Sequence, residues 1–172
     1  NGQATFTGIV TATSFSGDGS ALTGISAGAQ GAQGAQGASG GGGGGGLSSR
    51  TTANAATGSI ANAASANISI TAAKTYALLK VQTSAAAWVT LYTDSTSRSN
   101  DASRAETTDP TPGSGVIAEV ITSAAATQVM TPGVIGWNDD GTPASTVYAK
   151  VVNKSGSTQA ITVTLHYLAL ES

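Results

Sequence analysis

The C-terminal part of the chain alternates apolar and polar residues with the two-residue period of β-strands. The clearest run covers residues 159–170, where Ile161, Val163, Leu165 and Tyr167 alternate with threonines and His166. Because successive side chains of a strand point to opposite faces, this run predicts a strand with one buried and one wetter face. Similar runs predict strands at 66–71, 75–83, 87–93, 116–122, 127–131 and 146–153, and a weaker one lies within 51–60.

The predicted strands are short, rich in β-branched residues and separated by clusters of Ser, Asn, Gly and Pro, a pattern typical of all-β sandwiches. We therefore expect residues 49–172 to form an antiparallel β-sandwich head. A jelly-roll-like topology is the first choice, and an immunoglobulin-like sandwich is the second. The polar segment 154–157 is expected to join the last two strands as a hairpin turn. No helix longer than a turn is expected.

Residues 28–48 follow a different pattern, because glycine occupies every third position from Gly28 to Gly46. Glycine with this period is the requirement of a collagen triple helix, in which three chains wind around an axis that admits no larger residue. The pattern therefore predicts a collagen-like stalk and a homotrimer. A flexible linker is the alternative, since the segment has no proline and its all-glycine run 40–46 fits any register.

Residues 1–27 carry scattered apolar side chains, among them Phe6, Ile9 and Phe15, which are too few to bury a core within one chain. Short β runs at 4–6 and 9–15 alternate with glycine-containing turns. We therefore expect an extended N-terminal β-arm that serves in trimerisation or in attachment to a larger particle.

The arm contains the string GIVTATSFSGDGSALTGI at residues 8–25. This string resembles a repeat of virion structural and fibre proteins of cyanophages and related marine phages. A Gly-x-y tract followed by a terminal β domain is also similar to phage fibre architecture. The resemblance implies a trimeric appendage on the exterior of the virion, whose arm contacts other virion proteins and whose C-terminal head faces the host. It brings no enzyme motif with it.

Charge is sparse, with 7 basic and 9 acidic side chains and a net charge of −2. Such a chain lacks the basic patch that binds phosphate backbones, so no nucleic-acid partner is predicted. No apolar run reaches the length that spans a bilayer, so membrane insertion is not predicted either. The absence of cysteine excludes disulfides and thiolate metal sites. No cofactor is predicted, because the glycine tract lacks the Lys-Ser/Thr that follows a phosphate-binding loop.

The longest polar loop, residues 94–115, holds six of the charged residues of the predicted head. A binding protein presents polar groups on loops that a rigid scaffold holds. Arg98, Asp101 and Arg104 are therefore candidate contacts for a ligand or receptor. The alternative is a solvated loop with local ion pairs.

A second polar loop, residues 137–143, places Trp137 beside Asn138 and Asp139. An indole next to amide and carboxylate groups can hold a sugar by stacking and hydrogen bonds, so these three residues are also candidate contacts. The alternative is a plain turn at Asp140-Gly141. The other tryptophan, Trp88, lies on a predicted strand of apolar residues and is expected in the core.

Catalytic chemistry is not indicated by the sequence. A hydrolytic triad needs a histidine beside a nucleophile and an acid, whereas the only histidine, His166, lies within a predicted strand. Glycoside hydrolysis needs two carboxylates at a set separation, and no pattern singles out a pair among Glu106, Asp109, Glu119 and Asp139. We therefore predict that the chain is not an enzyme and holds no metal; a metal ion shared by three His166 copies in a trimer remains a minor alternative.

The predicted function is that of a trimeric phage fibre or spike whose head recognises a host-surface glycan or protein. The main alternative is a capsid decoration or cement protein, or a filament subunit, without a host-binding role. A glycan-degrading tip enzyme is the third hypothesis.

Overall fold

The computed structural model describes residues 7–9, 11, 13–14 and 49–172. The predicted stalk, and most of the predicted arm with its β runs, lie outside these residues. None of the arm residues that are described belongs to a strand, and Ile9 among them is exposed. The head, residues 49–172, belongs to one compact unit.

The head contains eight β-strands and one short helix. Their bounds are β1 Thr51–Ala56, β2 Ser65–Thr71, β3 Thr75–Thr83, β4 Ala87–Tyr92, α1 Ser95–Asn100, β5 Val116–Thr122, β6 Ala126–Trp137, β7 Thr146–Asn153 and β8 Thr162–Glu171. The all-β prediction is therefore confirmed for the head. No helix in the described part of the chain is long and apolar enough to cross a membrane.

The strands form two four-stranded antiparallel sheets, a first sheet of order β1-β8-β3-β6 and a second sheet of order β2-β7-β4-β5. The pairing is nested along the chain, since β1 pairs with β8, β2 with β7, β3 with β6 and β4 with β5. Successive pairs alternate between the two sheets. Eight strands with this connectivity have the topology of a jelly roll, rather than the order of an immunoglobulin domain.

The core lies between the sheets and is built from the inward-facing residue of each alternating pair. Ile70, Leu78, Val89 and Leu165 are among its almost completely buried members. Burying a side chain of this size contributes about 1.5–3 kcal/mol relative to leaving it exposed. The alternation that predicted β8 therefore works as expected, with Val163, Leu165 and Tyr167 inside.

The predicted hairpin at 154–157 is wrong. Strand β7 pairs with β2 and β4, and β8 pairs with β1 and β3, so segment 154–157 crosses from the second sheet to the first. Asn153 anchors this crossing: its buried amide donates hydrogen bonds to the carbonyls of Ile60 (2.8 Å) and Ser157 (2.7 Å). Two-residue periodicity identifies a strand but not its partner, and the turn residues at 154–157 suit either connection.

Strand β6 is much longer than the predicted strand at 127–131. Pro132 and Gly133 read as a stop signal, yet the ladder continues beyond them, because Val129 pairs with Lys80 and Val134 pairs with Leu78. The residues between Val129 and Val134 form a bulge. Proline is tolerated at a bulge of an edge strand, and β6 is the edge of the first sheet.

The two sheets differ in what lies on their outer faces. Strand β4 is buried along its whole length, so its outward-facing residues, Trp88 and Tyr92 among them, are covered as well. The cover is the polar segment 94–115, which we call the covering loop. On the outer face of the first sheet, by contrast, Val129 and Ile135 are 50% and 52% exposed.

Candidate functional site

The two polar loops predicted from the sequence meet at an open cleft at one end of the sandwich. The cleft has a volume of about 420 Å³ and is lined by Thr93, residues 110–117, Trp137 and Asp139. It therefore brings Trp137 and Asp139 together with the C-terminal half of the covering loop. Arg98, Asp101, Arg104 and Asn138 do not line it.

Thr93, the residue that follows β4, joins the two walls of the cleft. Its backbone N–H donates to the carbonyl of Gly115 (2.9 Å), and its carbonyl accepts a hydrogen bond from the N–H of Asp139 (2.9 Å). Because these are backbone hydrogen bonds at the end of a buried strand, they fix both loops to the rigid sandwich. The cleft is thus built on a scaffold, which is the usual arrangement of a binding site.

The covering loop begins with the helix α1, whose N-cap is Asp94. Its carboxylate accepts hydrogen bonds from the backbone N–H of Ser97 (2.7 Å), the Ser97 hydroxyl (2.6 Å) and the Thr93 hydroxyl (2.9 Å). Burial alone would raise the pKa of the Asp94 carboxyl, but these hydrogen bonds outweigh burial and lower it. An ionised Asp at an N-cap satisfies amide groups that the helix leaves unpaired.

The covering loop returns to the sheet at Gly115, which has a φ of +77°. A Cβ at this position would lie 2.7 Å from both the Ser97 Cβ and the Thr93 Oγ1. Glycine is therefore required twice, once for the left-handed backbone and once for the close approach of α1. At Gly115 the end of the covering loop therefore packs against α1, with which the loop begins.

Asn138 supports the cleft from beneath. It is 5% exposed, and its side-chain oxygen accepts hydrogen bonds from the backbone N–H groups of Asp140 (3.2 Å) and Ala144 (3.0 Å). Its amide donates to the Asp140 carboxylate and to the carbonyl of Thr146, both at 3.0 Å. Asn138 therefore shapes the loop between β6 and β7, and its side chain has little left to offer a ligand.

Trp137 and Asp139 are the predicted contact residues that remain accessible. Trp137 is 47% exposed and faces a wall that contains Pro110 and Pro112. The hydroxyl of Ser114, in the same wall, is buried and finds no hydrogen-bond partner among the described residues. Apolar rings together with a carboxylate and hydroxyl groups suit a ligand that has both an apolar face and hydroxyl edges.

Arg98 lies on α1 and ties this helix to the second sheet. Its guanidinium donates to the carbonyl of Ile68 (2.8 Å) and lies 5.0 Å from the centre of the Tyr148 ring. The Tyr148 hydroxyl in turn donates to the Asp140 carboxylate (2.8 Å). Arg98 is half-buried, and these contacts of its guanidinium are made within the chain. A contact between Arg98 and a partner stays a prediction.

Asp101 and Arg104 belong to a buried ion cluster beneath the covering loop. The Arg104 Nε lies 2.7 Å from Asp101 Oδ1, and the two side chains are 7% and 8% exposed. Arg104 Nη1 also donates to Glu119 (3.1 Å), and the Lys150 ammonium donates to the Asp101 carbonyl (2.7 Å). Two cations and two carboxylates therefore neutralise one another on the outer face of the second sheet.

Aromatic side chains complete this cluster. The Arg104 guanidinium and the Lys150 ammonium lie 5.2 Å and 4.8 Å from the Trp88 ring, distances at which cation–π attraction is significant. The Tyr92 hydroxyl donates to Asp101 (2.7 Å), and the Trp88 indole N–H donates to Glu119. The predicted burial of Trp88 is correct, yet Trp88 packs beneath the covering loop and lies outside the main core.

The electrostatics of the cluster favour its ionised form. Burial alone would raise the pKa of the Asp101 carboxyl, but hydrogen bonds from Arg104 and Tyr92 and the charges of Arg104 and Lys150 lower it. Burial raises the pKa of the Tyr92 hydroxyl, and its hydrogen bond to Asp101 raises it further. Asp101 is therefore held as a carboxylate that accepts from its neighbours, which is the state that fixes the covering loop.

The two polar loops could be predicted from the sequence. That they form one cleft, and that Thr93, Lys150 and Glu119 hold them in place, could not. Lys150 was not singled out, although a lysine between the apolar residues Ala149 and Val151 could have signalled a buried cation. Residues 110–115 belonged to the predicted contact loop 94–115, but none of them was selected as a contact. Nothing in a single sequence shows that the backbone of Thr93 forms hydrogen bonds with both loops.

Of the four carboxylates considered for glycoside hydrolysis, Glu119 and Glu106 are engaged in separate ion pairs. Glu119 pairs with Arg104, and Glu106 pairs with the Lys154 ammonium, whereas Asp139 lines the cleft. His166 lies half-buried on β8, and its Nε2 is buried without a hydrogen-bond partner in the described part of the chain. Within residues 7–9, 11, 13–14 and 49–172, no group of three or more His, Asp or Glu could hold a metal ion.

Comparison with protein-family models, with curated proteins and with solved structures finds no match for this chain.

Proposed function

We propose that the chain is a structural protein of a phage virion, a homotrimeric fibre or spike with a C-terminal head that recognises the host surface. Two sequence features support the virion and the trimer: the string at residues 8–25 and the glycine register at 28–46. The observation that carries a recognition role for the head is the cleft, where an exposed indole faces prolines, hydroxyl groups and a carboxylate.

The ligand class that suits this cleft is a saccharide of the host surface. A sugar ring has an apolar face that can stack on Trp137 and hydroxyl groups that can bond to Asp139 and to the hydroxyl-bearing wall. A volume of about 420 Å³ lies within the range of small-ligand sites. The backbone hydrogen bonds of Thr93 hold the walls in place before binding, which lowers the ordering cost.

The first test is the oligomeric state of the full chain by sedimentation velocity at micromolar concentration. We expect a single species with three times the mass of one chain. A monomer over the whole accessible concentration range would overturn the trimeric appendage.

The second test measures binding of the fluorescently labelled full chain to a panel of marine cyanobacterial strains. We expect saturable binding to some strains, and we expect Trp137→Ala to weaken it at least about tenfold, as for a central aromatic contact. Ile121→Ala is the matched control, because Ile121 is 51% exposed but does not line the cleft. Equal loss in both variants, or none in either, would remove the cleft from the proposal.

A second function, decoration or cementing of the particle without host contact, is favoured by the direction in which the chain enters the head. Strand β1 begins opposite Tyr167 and ends opposite Thr162, while Trp137 lies beside Thr75, which pairs with Glu171. The chain therefore enters from the end at which the cleft lies. A cleft at this end suits a neighbouring virion protein, and binding to phage capsids but to no cell would select this function.

A further inference from the structure

The outer face of the first sheet has an apolar character that nothing within the described chain covers. Ile135 of β6, Ala77 of β3 and Leu168 of β8 form one row across three paired strands. On the same face Val129 of β6 is paired with Lys80 of β3. Leu79 lines a groove together with Val129 and Lys80. Single exposed apolar residues are ordinary, but a contiguous group on one sheet face marks an interaction surface.

This face is also poor in charge. Among the outward-facing strand residues, only Lys80 and Glu171 carry a permanent charge, and Glu171, at the end of β8, accepts a hydrogen bond from the Thr75 hydroxyl (3.0 Å). The others are mainly threonines, alanines and aliphatic residues. Depletion of charge together with apolar side chains is the composition found at the centre of a protein–protein interface. Such a surface fits a protein partner rather than a polyanion or a sugar.

The position of β1 indicates which protein the partner is. Strand β1 is part of this sheet and begins three residues after Ser48, the last residue of the Gly-x-y tract. A glycine register of this kind is used where three copies of one chain wind together. Three copies joined by that tract are tethered at β1, so each head meets the other two at a high effective concentration.

We propose that the outer face of the first sheet is the surface through which the three heads of the trimer contact one another. The inference rests on the proposed function, because it takes the partner to be two further copies of this chain. Residues 94–115 of the same chain cover the central strand β4 of the second sheet, whereas Ile121 on its edge strand β5 stays exposed. The first sheet is covered by the neighbouring copies. Leu79, Val129, Ile135 and Leu168 form the centre of this contact.

The chain offers a matched pair of positions for the test. Ile135 and Ile121 have the same side chain and are 52% and 51% exposed, but Ile135 lies on the proposed face and Ile121 on β5 of the second sheet. Because the chain contains no cysteine, Ile135→Cys and Ile121→Cys each introduce a single thiol. The full-length variants are treated with iodoacetamide at a concentration at which sedimentation shows the trimer, and the rate of alkylation is measured.

We expect the thiol at position 135 to react at least about tenfold more slowly than the thiol at position 121, because a thiol within a contact reacts only when the contact opens. Loss of the trimer in Ile135→Cys but not in Ile121→Cys would also support the proposal.

Two other outcomes overturn it in distinguishable ways. A trimer in which positions 135 and 121 react equally fast would mean that the heads stand apart, which ends the inference but leaves the trimeric appendage intact. A wild-type chain that sediments as a monomer would remove the proposed function and this inference together.

Discussion

The outer faces of the two sheets are completed by different means. On the second sheet the covering loop folds back over β4 and neutralises Lys150 and Arg104 with Asp101 and Glu119. On the first sheet no segment of the described head plays this part, and the face keeps aliphatic side chains half in solvent. Burial on the outer faces of this protein therefore follows two kinds of chemistry. A charged network closes the part of the second sheet that the covering loop crosses, and Ile121 on the edge strand β5 is a single exposed apolar residue there. On the open first sheet a row of apolar side chains extends across three strands.

The largest expected effect comes from removing the cation that links the covering loop to the second sheet. Arg104→Ala leaves Asp101 and Glu119 facing each other without the guanidinium between them. Breaking a buried ion pair from one side costs about 3–5 kcal/mol, and urea unfolding of the full chain at a fixed protein concentration measures this loss. Lys80→Ala, on the open face, is the control and should change the free energy of unfolding by about 0.5 kcal/mol or less.

A loss below about 1 kcal/mol in Arg104→Ala would mean that the cluster adds no more than a surface ion pair does. The charged network would then stabilise the second sheet no more than ordinary surface contacts do.

An intermediate effect is expected where the covering loop closes at Gly115. Gly113 and Gly115 have nearly the same φ, +78° and +77°, but only Gly115 has neighbours in the space that a Cβ would fill. Gly113→Ala should cost about 1–2 kcal/mol for its left-handed backbone. Gly115→Ala should cost about 1–3 kcal/mol more, because α1 must shift.

Hydrogen exchange can show where the damage from Gly115→Ala is confined. We expect faster exchange in α1 and in the covering loop, with the first sheet unchanged. Equal free energies of unfolding for the two alanine variants would show that α1 can move away from a Cβ at position 115 without loss of stability.

The smallest effect is expected from mild acid. The pKa of the Asp101 carboxyl in the folded protein is lowered relative to its unfolded value of about 3.9. The ionised carboxylate therefore stabilises the fold above that pH, and the stabilisation is lost as the pH falls through the unfolded and then the folded value. Urea midpoints measured from pH 7 to pH 3 should be nearly flat at first and then decline below about pH 4.

Asp101→Asn should make this acid decline shallower, whereas Asp109→Asn, at an exposed position of the same loop, should preserve it. An unchanged decline in Asp101→Asn would assign the acid sensitivity to other carboxyl groups, with Asp94 the next to test because its pKa is lowered as well.

Much of the fold could be predicted from the sequence, because strand formation depends on local alternation. Predicted strands 75–83, 116–122 and 146–153 agree with β3, β5 and β7 in both bounds. Pairing depends on residues far apart in the chain, which explains the wrong hairpin at 154–157. The extension of β6 was missed because Pro132 ends most strands, and only its place on a sheet edge lets the ladder continue past it.

The candidate site was less accessible to sequence reasoning. Trp137 and Asp139 could be selected because an indole beside polar side chains in a turn is unusual. Arg104 and Asp101 were selected for their charge, and it is this charge that holds them beneath the surface, since each finds its counter-ion there. No local signal distinguishes a charged loop that faces solvent from one that folds over Trp88.

The attachment of strand β1 determines how the head responds to mechanical load. Strand β1 is an edge strand whose only partner among the described strands is β8, over six residue pairs, and it is the strand that follows the glycine-rich tract. Its hydrogen bonds to β8 run perpendicular to the strand. A pull along the axis of β1 therefore loads all of these bonds together in shear, whereas a sideways pull would break them one after another from Thr51. If the chain forms the proposed appendage, tension on it would act on this short ladder, where the head would resist detachment or begin to unfold.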